Sequence, residues 1–184
     1  MMNKPFWTSD RIVSMSAILI SLATLCVFVY QTNLLREQQH LSVYPHLSLG
    51  NYYSGSLQYK MVIANEGIGP AFVESIEVID TLGNSYEGLS DYLYEYMGED
   101  DSIFIYSSDL YEGRLIPAGE DIALFGLLDE EQLRQYSLPP NTIEGAEKLR
   151  RILNSENLKY KVSYRSIYND RWYITEETVT PVME

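Results

Sequence analysis

His40, His46 and Cys26 are the chain's complete set of imidazole and thiol groups, and they decide which reactions are open to it. A zinc site gathers three or four such ligands, commonly as His-x-x-x-His or as paired cysteines, and neither pattern occurs. One cysteine also excludes an intrachain disulfide. Glu99, Asp100 and Asp101 offer carboxylates in a row, without the alternating oxygen ligands and glycine of an EF-hand loop, so they read as a solvated acidic turn. There is no Gly-x-x-x-x-Gly-Lys phosphate loop and no Gly-x-Ser-x-Gly nucleophile elbow. What remains is Arg36 with His40, four apart and therefore on one side of a helix. The expectation is a protein that is not an enzyme and binds no metal or cofactor.

Charge is the stronger signal. The chain holds 13 Lys and Arg against 26 Asp and Glu, a net charge of −13, which argues against nucleic acid and against an anionic membrane face as partners. The charges are also segregated. From Met61 to Gly113 there are twelve acids and no base, whereas Lys148 to Arg171 holds seven bases opposed by Glu156 and Asp170 alone. Glu95, Glu99, Asp100 and Asp101 on one side, with Lys159, Lys161 and Arg165 on the other, are the candidate complementary surfaces. They either neutralise each other inside one domain or meet across a boundary between copies, where complementary patches permit head-to-tail rings.

These groups are carried by a chain that begins with a membrane element. Ile12 to Tyr30 runs 19 residues without a charge, roughly 28 Å of helix, which matches the hydrocarbon thickness of a bilayer. The run is longer than the apolar core of a signal peptide, and no small-x-small cleavage site follows Tyr30, so an uncleaved anchor is expected. Phe6 and Trp7 on one side and Tyr30 on the other suit the two interfaces. Lys4, Arg11 and the amino terminus place the tail, residues 1–11, in the cytoplasm and the bulk of the chain outside. The helix is expected over 12–40. Ser14, Ala17, Ser21 and Thr24 recur at spacings of three and four, and Gln31 continues the stripe. Small and hydroxylated residues let helices approach closely, which makes the stripe a candidate interface between copies or lining of a pore. The alternative is that each hydroxyl bonds its own backbone.

Residues 41–184 read as one β domain, 148 residues from Glu37 onward being enough for a sizeable core. Ser42–Gly50 is expected as the first strand. Leu57, Tyr59, Met61 and Ile63 alternate with Gln58, Lys60 and Val62 in the second, so one face is expected to be buried and the other less so, and Ala71–Asp80 follows as a hairpin partner across Asn65–Ala71, whose glycines permit positive φ. Helical insertions are predicted near 89–98, 129–137 and 141–154, the second opened by an Asp129–Gln132 capping box and the third by Asn141 with Glu144. A hairpin turning at Asn169-Asp170 closes the chain. Seven strands, mostly hairpin-linked, point to an antiparallel immunoglobulin-like β-sandwich or a partly open barrel.

An N-terminal span, then Pro45-His46-Leu47, then Asn65-x-Gly67-x-Gly69-Pro70-Ala71 resembles a recurrent group of short bacterial single-span membrane proteins with a small β domain. The likeness covers roughly residues 7–80 and implies a bacterial inner-membrane setting, without catalytic residues. A remoter likeness, in size and layout, is to small membrane accessory proteins of phage-defence systems, some of which assemble into pores. Arg36 and His40 resemble the Arg and His pair of HEPN ribonucleases, but fewer residues separate them here and no four-helix domain surrounds them. The expected function is protein interaction or assembly by a membrane-anchored, self-associating β domain that also meets a protein partner through tyrosine-rich surface. The alternative is an oligomeric pore or effector in phage defence.

Overall fold

The computed structural model describes residues 9–53, 56–97, 103–153, 158–178 and 180–184, and it divides the chain into two compact units, Met1–Ser42 and Val43–Glu184. The first contains α1, Ser9–Leu41, whose 33 residues include none that is buried. It is long and apolar enough to cross a membrane, with a mean hydropathy of 2.5 over its most apolar stretch. It begins three residues before the expected start and ends one residue after the expected end. The Ser14, Ser21 and Thr24 hydroxyls each donate to the carbonyl four residues back, at 2.8 Å. That bond satisfies a polar group inside an apolar helix without a neighbour.

The second unit holds ten strands in two antiparallel sheets among the described residues. One sheet has the order β1 (Leu47–Tyr52), β2 (Lys60–Asn65), β7 (Asp121–Leu127), β5 (Ile105–Ser107). The other runs β10 (Val182–Met183), β9 (Arg171–Thr175), β8 (Leu158–Arg165), β3 (Ala71–Asp80), β4 (Ser85–Tyr86), and β6 (Leu115–Ile116) also pairs with β3. Neither sheet closes into a barrel. Both contribute to one apolar core, in which Leu47, Met61 and Ile63 join Val73, Val78, Val162 and Tyr164.

Two sequence expectations change here. β2 and β3 do not form a hairpin: β2 pairs with β1 and β7, and β3 starts the other sheet against β8. Alternating polarity marks a strand but not its partner, so a change of sheet inside the five-residue connection 66–70 leaves no trace in the pattern. In β2, Val62 is as buried as Met61 and Ile63, because the pairing with β7 shifts register between Met61 and Val62.

Three short helices complete the unit among the described residues. α2, Leu89–Met97, buries Leu89, Tyr92, Leu93 and Met97; its expected stop at Gly98 lies outside the described residues. α3, Glu130–Gln135, has the Asp129–Gln132 capping box that the sequence predicts. α4, Ile143–Leu153, is opened by Thr142, whose hydroxyl accepts the Gly145 N–H at 3.0 Å. Asn141 is therefore not the cap. Its side chain accepts the Phe104 N–H and donates to the carbonyls of Phe104 and Leu128, tying two loops together.

Candidate functional site

The Asn65–Ala71 motif and the segment Val43–Leu47 form one structure. Asn65 ends β2, is 1% exposed, and its amide uses its full hydrogen-bonding capacity. Oδ1 accepts the N–H of His46 at 3.2 Å and of Gly67 at 3.1 Å, while Nδ2 donates to the carbonyls of Gly69 at 2.8 Å and Ile116 at 3.0 Å. One side chain thus binds the entering segment, the loop that follows β2, and β6. Backbone bonds from Glu66 to His46 and from Ile68 and Gly69 to Tyr44 complete the joint.

The two glycines serve close approach rather than unusual dihedrals. A Cβ at Gly67 would overlap the backbone of Tyr44 and His46, and one at Gly69 would overlap the Val43 carbonyl. Among the described residues, positive φ at glycine occurs instead at Gly83, Gly113 and Gly119. The positive φ that glycine permits is not used in this motif, and the same residues are required there for a steric reason. On the far side of the segment, the Tyr44 ring meets Trp172 edge-on at 5.4 Å, and the Leu47 N–H donates to the Tyr164 hydroxyl at 3.3 Å. Burial raises the pKa of Tyr44, and that of Tyr164 further still. Both phenols are held neutral. The segment that follows α1 is thereby clamped between a polar hinge pin and an aromatic wall.

A second polar knot lies at the other end of β3. Asp80 is 2% exposed, and its carboxylate accepts the backbone N–H groups of Leu82 and Asn84, the Asn84 amide, and the Tyr86 and Tyr96 hydroxyls. Burial alone would raise its pKa, but the bonds from Asn84, Tyr86 and Leu82 outweigh this and hold it at about 2. Tyr86 is pushed up to about 12 by burial and by the same bond, and Tyr96 is raised for the same reasons. The knot fastens α2 to the β3–β4 turn. It is a structural carboxylate, ionised and saturated with donors.

Among the charged residues singled out in sequence, Arg165 pairs with Glu74 at 3.4 Å and Arg171 with the same carboxylate at 3.1 Å. Lys161 pairs with Glu184 at 3.2 Å and lies over the Tyr173 ring. Glu74 belongs to the acidic stretch, so part of the opposed charge meets within one domain. Glu95 is exposed on α2; Glu99, Asp100 and Asp101 lie outside the described residues. Lys159 lines a cleft of about 490 Å³ between β1 and β8, together with Asn51, Leu158, Tyr160, Glu176 and Glu177. There the Tyr160 N–H donates to the Glu176 carboxylate at 3.0 Å, one residue beyond the last β8–β9 pair, Lys161 with Thr175. Of the stripe, Ser14, Ala17, Ser21, Thr24 and Gln31 are all exposed on α1. No group of three or more His, Cys, Asp or Glu that could hold a metal occurs among the described residues.

Comparison with models of protein families, with curated proteins and with solved structures found no match.

Proposed function

We propose that this protein is a non-enzymatic β domain, its two sheets packed as a sandwich, held at the bacterial inner membrane by an uncleaved span and acting in protein interaction or assembly. The observation that carries the reading is the clamp at Asn65, Gly67 and Gly69. It devotes a buried amide, two glycines and an aromatic wall to residues 43–47, so that the chain leaving α1 enters the β domain through a fastened segment. The shared core of the two sheets supports the sandwich, and the resemblance in the clamp motif supports the bacterial setting. The N-terminal bases favour a domain on the outer side.

Assembly is assigned to the Ser14-Ala17-Ser21-Thr24 stripe, with exposed tyrosines such as Tyr94, Tyr111 and Tyr136 available to a protein partner. The test is the native mass of the full chain in mild detergent. Assembly predicts a defined oligomer that Ala17→Leu dissociates, and a monomer in the unaltered chain removes self-assembly from the account. A closed ring of six or more copies would instead support a pore lined by Ser14, Ser21, Thr24 and Gln31.

A further inference from the structure

β1 is the edge strand of its sheet, with β2 on one side and no strand on the other among the described residues. Two bonds fix the phase of its ladder. The His46 carbonyl accepts the Glu66 N–H, so His46, Ser48 and Gly50 turn toward β2, whereas the Leu47 N–H turns away and donates to the Tyr164 hydroxyl at 3.3 Å. Alternation then directs the N–H and carbonyl of Leu49 outward as well. They face the cleft of about 490 Å³ that opens beside β1, a volume within the range of ligand sites.

The opposite wall is an interrupted ladder. β9 stops pairing with β8 at Thr175, opposite Lys161, and the Tyr160 N–H is met by the Glu176 side chain instead of a strand carbonyl. One edge from each sheet therefore borders the same cavity. Natural sheet edges are guarded by charge, proline or a bulge. β1, LSLGNY, carries no charged residue and no proline, and its register with β2 is unbroken.

The lining of the cleft selects the occupant. Met61, Leu153 and Leu158 are buried apolar residues that reach its wall, while Glu176 and Glu177 stand exposed there against one base, Lys159. A second copy would bring a further pair of carboxylates to the same place, in a chain of net charge −13. Complementarity favours a cationic partner.

We infer that β1 receives an extended, basic segment of another protein as an added strand, whose backbone bonds Leu49 and whose side chains alternate between apolar groups toward Met61, Leu153 and Leu158 and a lysine or arginine toward Glu176 and Glu177. This deepens the protein-interaction reading and rests on it. The test uses the full chain, isotope-labelled, in zwitterionic detergent, with short synthetic peptides as probes. One alternates valine with lysine, and a second alternates valine with glutamate. A third is the lysine peptide N-methylated at every other residue, which removes strand donors and keeps its side chains. Strand addition predicts that the lysine peptide at saturation slows amide exchange at Leu49 about tenfold and that the other two do not. Glu176→Gln combined with Glu177→Gln should weaken its binding about fivefold. Unchanged exchange at Leu49 under millimolar lysine peptide overturns the proposal. Where that peptide instead protects amides beside Tyr111 or Tyr136, the edge fails while the interaction reading stands. An equal effect of the glutamate peptide removes the charge assignment, an equal effect of the N-methylated peptide removes strand addition, and either overturns the proposal. Slow exchange at Leu49 in the free chain, with a native mass that Leu49→Pro reduces, gives the edge to a second copy and also overturns it.

Discussion

The side-chain oxygen of Asn65 accepts the backbone N–H of His46 at 3.2 Å, across 19 residues of chain. That bond joins the end of β2 to the segment that follows the apolar helix, and the most specific consequences of the structure follow from it.

Asn65→Ala removes two donors and one doubly used acceptor from a site that is 1% exposed. The unpaired backbone groups left behind make the expected loss about 2–4 kcal/mol. Denaturant unfolding of the detergent-solubilised chain measures it. A change below about 0.5 kcal/mol, the usual scale of a surface substitution, would show that the joint is not cooperative with the fold.

Gly69→Ala places a methyl group where the Val43 carbonyl stands. The entering segment must shift, at a cost of roughly 1–3 kcal/mol, and amide exchange at Ile68 and Gly69 should accelerate. Gly83→Ala is the control: it meets open space, but at φ +86°. It should cost about 1 kcal/mol and leave exchange at the clamp unaltered.

Acid stability should report the Asp80 knot. Its folded pKa of about 2 lies below the ordinary 3.8, so its contribution is present above about pH 4 and is lost as pH falls toward 2. Tyr86, raised to about 12, and Tyr96, raised from 10, act in the opposite sense. The contribution of Tyr86 is complete below about pH 10 and disappears as pH rises toward 12, and that of Tyr96 is likewise lost on the alkaline side of its ordinary value. Asp80→Asn should flatten the acid limb between pH 4 and 2, and an unchanged limb in thermal melts would contradict the assignment.

Glu74→Gln breaks the ion pairs to Arg165 and Arg171, whose side chains are 36% and 58% exposed. Solvent screening limits the expected loss to under about 1 kcal/mol. Native mass should not change, because this carboxylate is already satisfied within its own domain. A shift in mass would place it at a boundary between copies.

The sequence carries some of this architecture openly. Nineteen uncharged residues announce α1, and Asp129 with Gln132 announces α3, because period and capping are local properties. Asn169, at φ 65°, takes the left-handed conformation at the expected final turn. Asn141 reads as a cap by type, yet it serves Phe104 and Leu128, partners that folding alone brings near. The clamp was legible as a motif but not as a mechanism. Glycine in a loop suggests positive φ, whereas Gly67 and Gly69 answer to the chain that passes over them, which local pattern does not encode. Of the donors to Asp80, Leu82 and Asn84 lie in the turn that directly follows it, whereas Tyr86 and Tyr96 come from β4 and α2 and leave no local signal in the sequence.

The account stands on the apolar helix remaining attached to the clamped domain. Mass spectrometry of the C-terminally tagged chain recovered from alkaline-washed cell membranes tests this directly. The account predicts the full 21.2 kDa chain plus tag in the membrane pellet. A shorter, soluble product beginning after Tyr30 would show that the helix is a removable signal and would contradict it.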